Sequence, residues 1–169
     1  MISSSERTGE SSMEDIRSYN IGKSDYSKRR IQPWDIWISY KLNPFDADIV
    51  KRVLRNKKDT PRCEDYEKIV HICKERIRQI DKGEDPWGVE SVNNEKDNVS
   101  AHCILPLDIC VEYKLNSFDK EIIECILRNN IGDMRRDDYT IIIHNCNQRI
   151  RLIGKESRLE QYVNNEYKY

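Results

Sequence analysis

The most regular feature of the chain is a spacing of apolar residues. Tyr66, Ile69, Val70, Cys73, Ile77 and Ile80 fall on one face if the backbone is helical. The same set returns as Tyr139, Ile142, Ile143, Cys146, Ile150 and Ile153. Acids open both stretches, Glu64 with Asp65 and Asp137 with Asp138, where the positive end of a helix dipole favours them. Each stretch is predicted to be an amphipathic helix.

A second pair of stretches precedes these. Phe45, Ile49, Val50, Val53 and Leu54 recur as Phe118, Ile122, Ile123, Ile126 and Leu127, again at helical spacing. Asn43 before Pro44 reads as an N-cap followed by proline at the first helical position, and Asn116 before Ser117 keeps the cap. The earliest pair is ambiguous. Ile36, Ile38, Tyr40 and Leu42, matched by Ile109, Val111, Tyr113 and Leu115, alternate as in a half-buried strand, whereas Pro33 and Pro106 are placed to open short helices. Helix is the preferred reading.

These stretches belong to a repeat. Residues 31–80 lie over 104–153 without a gap and about half of the positions are identical, as in "VHICKERIRQI" and "IHNCNQRIRLI". The expected fold is mainly α: a tandem duplication of a unit of two or three helices, too small to bury both faces alone, with two units packed about a pseudo-twofold axis. Around it lie a Ser-rich segment 1–30 expected to be disordered, an acidic polar connector 81–103, and a tail or short helix over 154–169.

Composition narrows the function. Lys and Arg number 29 against 30 Asp and Glu, so no global field drives the chain onto nucleic acid or anionic lipid. No apolar run reaches membrane-spanning length, and "MISSSERTGE" lacks the apolar core of a secretory signal. The six cysteines are therefore expected to be free thiols in a reducing, cytoplasmic compartment, with Cys73, Cys125 and Cys146 as small core residues. Residues with A/T-rich codons (Ile, Asn, Lys, Asp, Tyr) dominate, which points to an A/T-rich genome.

Candidate chemistry is sparse. His71 with Cys73, and His144 with Cys146, point to nearly opposite sides of a helix and so cannot chelate one ion; no metal or cofactor site is expected. No phosphate loop, nucleophile elbow or catalytic triad pattern is present, so the chain is read as non-enzymatic. Asp46 and Asp119, like Asp65 and Asp138, have cap or surface roles that suffice for them. A polar stripe repeats instead: His71, Glu75 and Arg78 return as His144, Gln148 and Arg151, a candidate face for a protein partner. A basic cluster in the first unit, Lys51, Arg55, Lys57 and Lys58, supports the alternative of nucleic-acid binding, although the second unit does not keep it. Trp34, Trp37 and Trp87 occur only in the first unit and the connector, either packed or as an aromatic anchor.

In its palette, its Ser-rich head and the segments "YKLNPFDADIVKRVLRN" and "YKLNSFDKEIIECILRN", the chain resembles small intracellular accessory proteins of poxviruses. The resemblance implies a non-enzymatic protein acting on host factors in the cytoplasm of an infected cell. It transfers no site residue. Poxviral helical proteins of the Bcl-2 type are usually one undivided domain, a pattern from which a duplicated chain departs.

Overall fold

The computed structural model describes residues 15–22, 24–55, 62–87, 104–128 and 135–166. Six α-helices form, and no strand occurs among these residues: α1 (Pro33–Ser39), α2 (Pro44–Val53), α3 (Arg62–Asp81), α4 (Pro106–Glu112), α5 (Ser117–Arg128) and α6 (Arg135–Glu166).

The ambiguous stretches are helical, and their ends explain why. Pro33 and Pro106 open α1 and α4, and the N–H groups of Gln32 and Leu105 donate to Asp35 (2.8 Å) and Asp108 (3.1 Å). Each helix closes in the same way. The Leu42 N–H donates to the Trp37 carbonyl at 3.0 Å and the Leu115 N–H to that of Cys110 at 3.1 Å, around Lys41 (φ 47°) and Lys114 (φ 50°) in the left-handed region. Glycine usually fills that position, and lysine there is strained by roughly 1–2 kcal/mol. The alternating pattern that suggested strands arises because Ile36 and Ile109 face the core while Ile38 and Val111 face water.

Asn43 caps α2 by accepting from the N–H groups of Phe45 and Asp46, and Asn116 caps α5 by accepting from that of Asp119. Both helices bury their apolar face, Ile49, Val50 and Val53 in one and Ile122, Ile123, Ile126 and Leu127 in the other. The long helices α3 and α6 pack along each other, and Ile69, Cys73, Ile142 and Cys146 are fully buried. Each such isoleucine stabilises the fold by about 1.5–3 kcal/mol.

Two tyrosine-to-aspartate hydrogen bonds cross the core. The Tyr66 hydroxyl donates to Asp119 at 2.7 Å, and the Tyr139 hydroxyl donates to Asp46 at 2.7 Å. Each joins a long helix of one half to the helix of the other half that begins with a capped asparagine. The asparagine adds a second donor, Asn43 to Asp46 at 2.8 Å and Asn116 to Asp119 at 2.9 Å. Asp46 and Asp119 are thus buried bridging groups, which corrects the expectation that a cap or surface role suffices for them. Burial drives the Asp46 pKa above the ordinary carboxylate range against the hydrogen bonds and nearby arginines that favour its charge. The two tyrosine pKa values rise for the same reason, so both hydroxyls stay protonated donors. Tyrosines also cross at the surface: Tyr40 donates to the Ile104 carbonyl at 2.6 Å and Tyr113 to the Ile31 carbonyl at 2.7 Å.

Two segments depart from expectation. Within the stretch 1–30 read as disordered, residues 26–28 form a 3-10 turn, the Tyr26 hydroxyl donates to the Lys51 carbonyl at 3.1 Å, and Arg29 reaches the Glu112 carbonyl at 2.9 Å. Residues 1–14 and 23 lie outside the described residues, as do 88–103 of the connector. At the other end no short separate helix follows Gly154, because α6 runs through it unbroken to Glu166. A Cβ at Gly154 would meet nothing within 4 Å, so this glycine has no turn to serve.

Tyr139→Phe removes one of the donors to the Asp46 carboxylate, and Tyr66→Phe does the same to Asp119. Each is expected to lower unfolding stability in urea by about 1–3 kcal/mol. A loss below about 0.5 kcal/mol in both, the level of an ordinary surface change, would show that the crossed bonds carry no weight.

Candidate functional site

The polar stripe lies on the outer faces of α3 and α6. His71, Arg78, His144 and Arg151 are exposed, and Glu75 and Gln148 are half-buried. The two copies are not equivalent. Arg78 is held by Glu75 and Glu84, both at 2.8 Å, and Gln79 also donates to Glu75 at 2.9 Å. Hydrogen bonds from Arg78 and Gln79 hold the Glu75 carboxyl down at about 2. Arg151 has no ion pair among the described residues. The structure therefore brings His71, Glu75 and Arg78 onto one surface, with Arg78 clamped, and leaves the second copy unclamped.

The basic cluster is dispersed. Lys57 and Lys58 lie outside the described residues. Arg55 reaches Asp65 at 3.4 Å, and Arg52 is shared between Asp48 at 3.1 Å and Asp65 at 3.4 Å. Lys51 lines a cavity of about 670 Å³ together with Tyr19, Tyr26, Trp34, Trp37 and Arg55. Residues 16, 19–22, 24 and 26 line that cavity on one side and residues of α1 and α2 on the other.

Cys73, Cys110, Cys125 and Cys146 are buried, and Cys63 is half-buried. Burial pushes the thiols of Cys125 and Cys146 up to about 12 and that of Cys73 higher, so none is a nucleophile near neutral pH. Among the described residues no three His, Cys, Asp or Glu side chains gather as metal ligands, and His102 and Cys103 lie outside them.

The most elaborate polar arrangement surrounds Arg76, a residue the sequence reading passed over. Its side chain is completely buried. Past α3 the chain turns at Gly83 (φ 66°), where the Glu84 N–H donates to the Gln79 carbonyl at 2.8 Å, and folds back. That return places Asp85 between Arg76 (2.9 Å) and Arg135 (2.6 Å), and Arg135 also donates to the Trp87 carbonyl at 2.6 Å. The Arg76 guanidinium lies over Phe45 (5.5 Å), Trp87 (5.3 Å) and Tyr139 (5.7 Å), and the Trp87 and Phe45 rings meet edge to face at 5.7 Å. Trp87 is thus an anchor turned inward on its own chain. A signal for this site was present: an arginine standing on the apolar stripe of α3, three residues after Cys73, with its counterpart Arg149 in α6.

A second surface also escaped the sequence reading. Trp34 and Ile38 lie one helical turn apart on α1 and point away from the core; Leu107 and Val111 do the same on α4. Their exposures are 43%, 76%, 59% and 68%. The Tyr40 hydroxyl at the end of α1 donates to the Ile104 carbonyl just before α4, and the Tyr113 hydroxyl at the end of α4 donates to the Ile31 carbonyl just before α1, so the end of each helix is tied to the approach to the other. Each of these two helices thus turns two large apolar side chains to water, and Leu105, just before α4, is 53% exposed. The signal was the same alternation of Ile36 with Ile38 that suggested a strand.

Among the described residues no helix is long and apolar enough to cross a membrane. No protein-family model, curated protein or solved structure matches this chain.

Burial raises the pKa of Asp85, but the hydrogen bonds from Arg76 and the Trp87 N–H and the two arginine charges outweigh it, so the carboxyl stays below its usual value. Its stabilising effect is present above the unfolded carboxylate pKa of about 4 and is lost as pH falls through the lower folded value. Asp85→Asn strands the charge of Arg76 and is expected to reduce stability by about 3–5 kcal/mol at neutral pH. The deficit relative to wild type, measured by urea unfolding, should shrink as the pH is taken below about 4; a deficit constant with pH would contradict the role given to Asp85.

Proposed function

We propose that this chain is a non-enzymatic protein-interaction module made by tandem duplication of one helical unit, its two copies related by a pseudo-twofold axis. The duplication is supported by the pairing of bonds at matching positions: Tyr66–Asp119 with Tyr139–Asp46, Tyr40–Ile104 with Tyr113–Ile31, and Arg55–Asp65 with Arg128–Asp138. One observation carries the interaction reading. The outer surface of α1 and α4 exposes Trp34, Ile38, Leu107 and Val111, large apolar side chains kept in both halves where packing does not require them. We read these two faces together as the binding surface, because an exposed apolar patch rimmed by polar residues marks an interaction site. The setting we assign, through the resemblance to poxviral accessory proteins, is the cytoplasm of an infected cell, with a host protein as the target.

The stripe of His71, Glu75, Arg78, His144, Gln148 and Arg151 is assigned a flanking polar role. Arg78, already paired with two glutamates, has less to offer a partner than Arg151, which has no ion pair among the described residues. Nucleic-acid binding through Lys51 and Arg55 has weaker support, since Arg55 spends its charge on Asp65.

Affinity purification of the tagged chain from cells, with and without nuclease, followed by mass spectrometry, tests the reading. One dominant protein partner that resists nuclease is expected. Ile38→Lys with Val111→Lys should abolish its capture while the helical circular-dichroism signal is unchanged, and Arg78→Glu with Arg151→Glu should reduce capture less. Full capture by the lysine variant would remove the α1–α4 surface from the proposal, and recovery lost on nuclease treatment would favour nucleic acid.

A further inference from the structure

Arg76 and Arg149 stand at matching positions, yet different things cover them. Arg76 is sealed by Phe45 on one side and by Trp87 and Asp85 on the other. Arg149 keeps only the first partner among the described residues, lying over Phe118 at 5.9 Å. Among the described residues no carboxylate pairs with Arg149 and no second ring stacks on it, and its Nε is buried without a hydrogen-bond partner. The cause is the path of the chain. After α3 the chain turns at Gly83 and lays Asp85 and Trp87 back over Arg76, whereas α6 runs straight on past Ile153. Asn116, exposed where its counterpart Asn43 is buried, marks the same opening.

From this we infer that the surface of Phe118 and Arg149 is a docking site for a segment of a partner protein carrying an acidic residue two positions before a tryptophan, the chemistry of Asp85-Pro86-Trp87. The protein itself shows how such a segment sits: carboxylate on guanidinium at 2.9 Å, indole over the same guanidinium and edge-on to phenylalanine. Charge agrees, because Arg149 is a cation without an acidic partner among the described residues. A proline between the two anchors limits the freedom lost on docking. The match is incomplete in one respect. Arg135 gives the inner segment a second guanidinium, but its counterpart Arg62 is occupied by the Val53 carbonyl (2.7 Å) and Asp119 (3.0 Å). The outer site therefore binds with one arginine, and a dissociation constant of about 0.1–1 mM is expected for a short peptide. The site deepens the interaction reading but uses none of the exposed residues of α1 and α4, so either can fail while the other stands.

The test is an amide-spectrum titration of the full chain with the peptide Gly-Glu-Asp-Pro-Trp-Gly. Saturable shifts at Asn116, Phe118 and Arg149 are expected. Arg149→Gln, or Asn in place of the peptide's Asp, should weaken binding by about 10-fold or more; the peptide change leaves the protein intact should the variant fail to fold. Three results would overturn the inference: no saturable shift up to several millimolar, shifts confined to Phe45 and Arg76 through displacement of the inner segment, or dimers in sedimentation that disappear in Trp87→Ala, which would assign the site to a second copy.

Discussion

Two buried carboxylates decide how this protein holds together. Asp46 and Asp119 are removed from water, and a carboxylate without donors is costly there. Neither half supplies enough donors to its own aspartate. The asparagine cap contributes one, and the next comes from a tyrosine of the opposite half. Apolar packing between α3 and α6 provides most of the adhesion, but it tolerates sliding. The two hydroxyl-to-carboxylate bonds do not, so they set the register at which the long helices meet.

Against that shared frame the halves diverge where each long helix ends. In the first, a left-handed glycine reverses the chain and an aspartate and a tryptophan seal a buried arginine. In the second, the helix simply continues, and the equivalent arginine keeps one aromatic neighbour. Among the described residues the same position is thus covered on both faces in the first half and on one face in the second. The outer helices show the reverse behaviour, holding large apolar residues facing water in both halves.

The sequence was legible where periodicity and packing agree. The stretches that became α2, α3, α5 and α6 bury or half-bury the residues their spacing selects, with Val70, Ile77, Ile80 and their counterparts at the margin of the core, and Cys73, Cys125 and Cys146 are core as expected. The α1 and α4 stretches were ambiguous because Ile38 and Val111 are apolar yet face water, which mimics the period of a strand. Arg76 was missed because its charge argued for the surface, although its place on the stripe argued for the core. Asp46 and Asp119 looked like ordinary first-turn acids; their partners are 93 and 53 residues away in sequence, a distance at which local pattern carries no information. The break expected at Gly154 followed its low helix propensity, about 1 kcal/mol, which a helix already anchored over its first half absorbs.

That 93-residue separation has a consequence for synthesis. A ribosome delivers Asp46 long before Tyr139, so the first half emerges with an acid that lacks its donor and a tyrosine, Tyr66, that lacks its acceptor. Until the last helix has left the exit tunnel, both groups do best in water, and the apolar face beside them is held open with them. The emerging unit therefore waits: its folding is postponed until α6 has been delivered, and a chain cut short before that helix carries a sticky surface for chaperones or proteases to find.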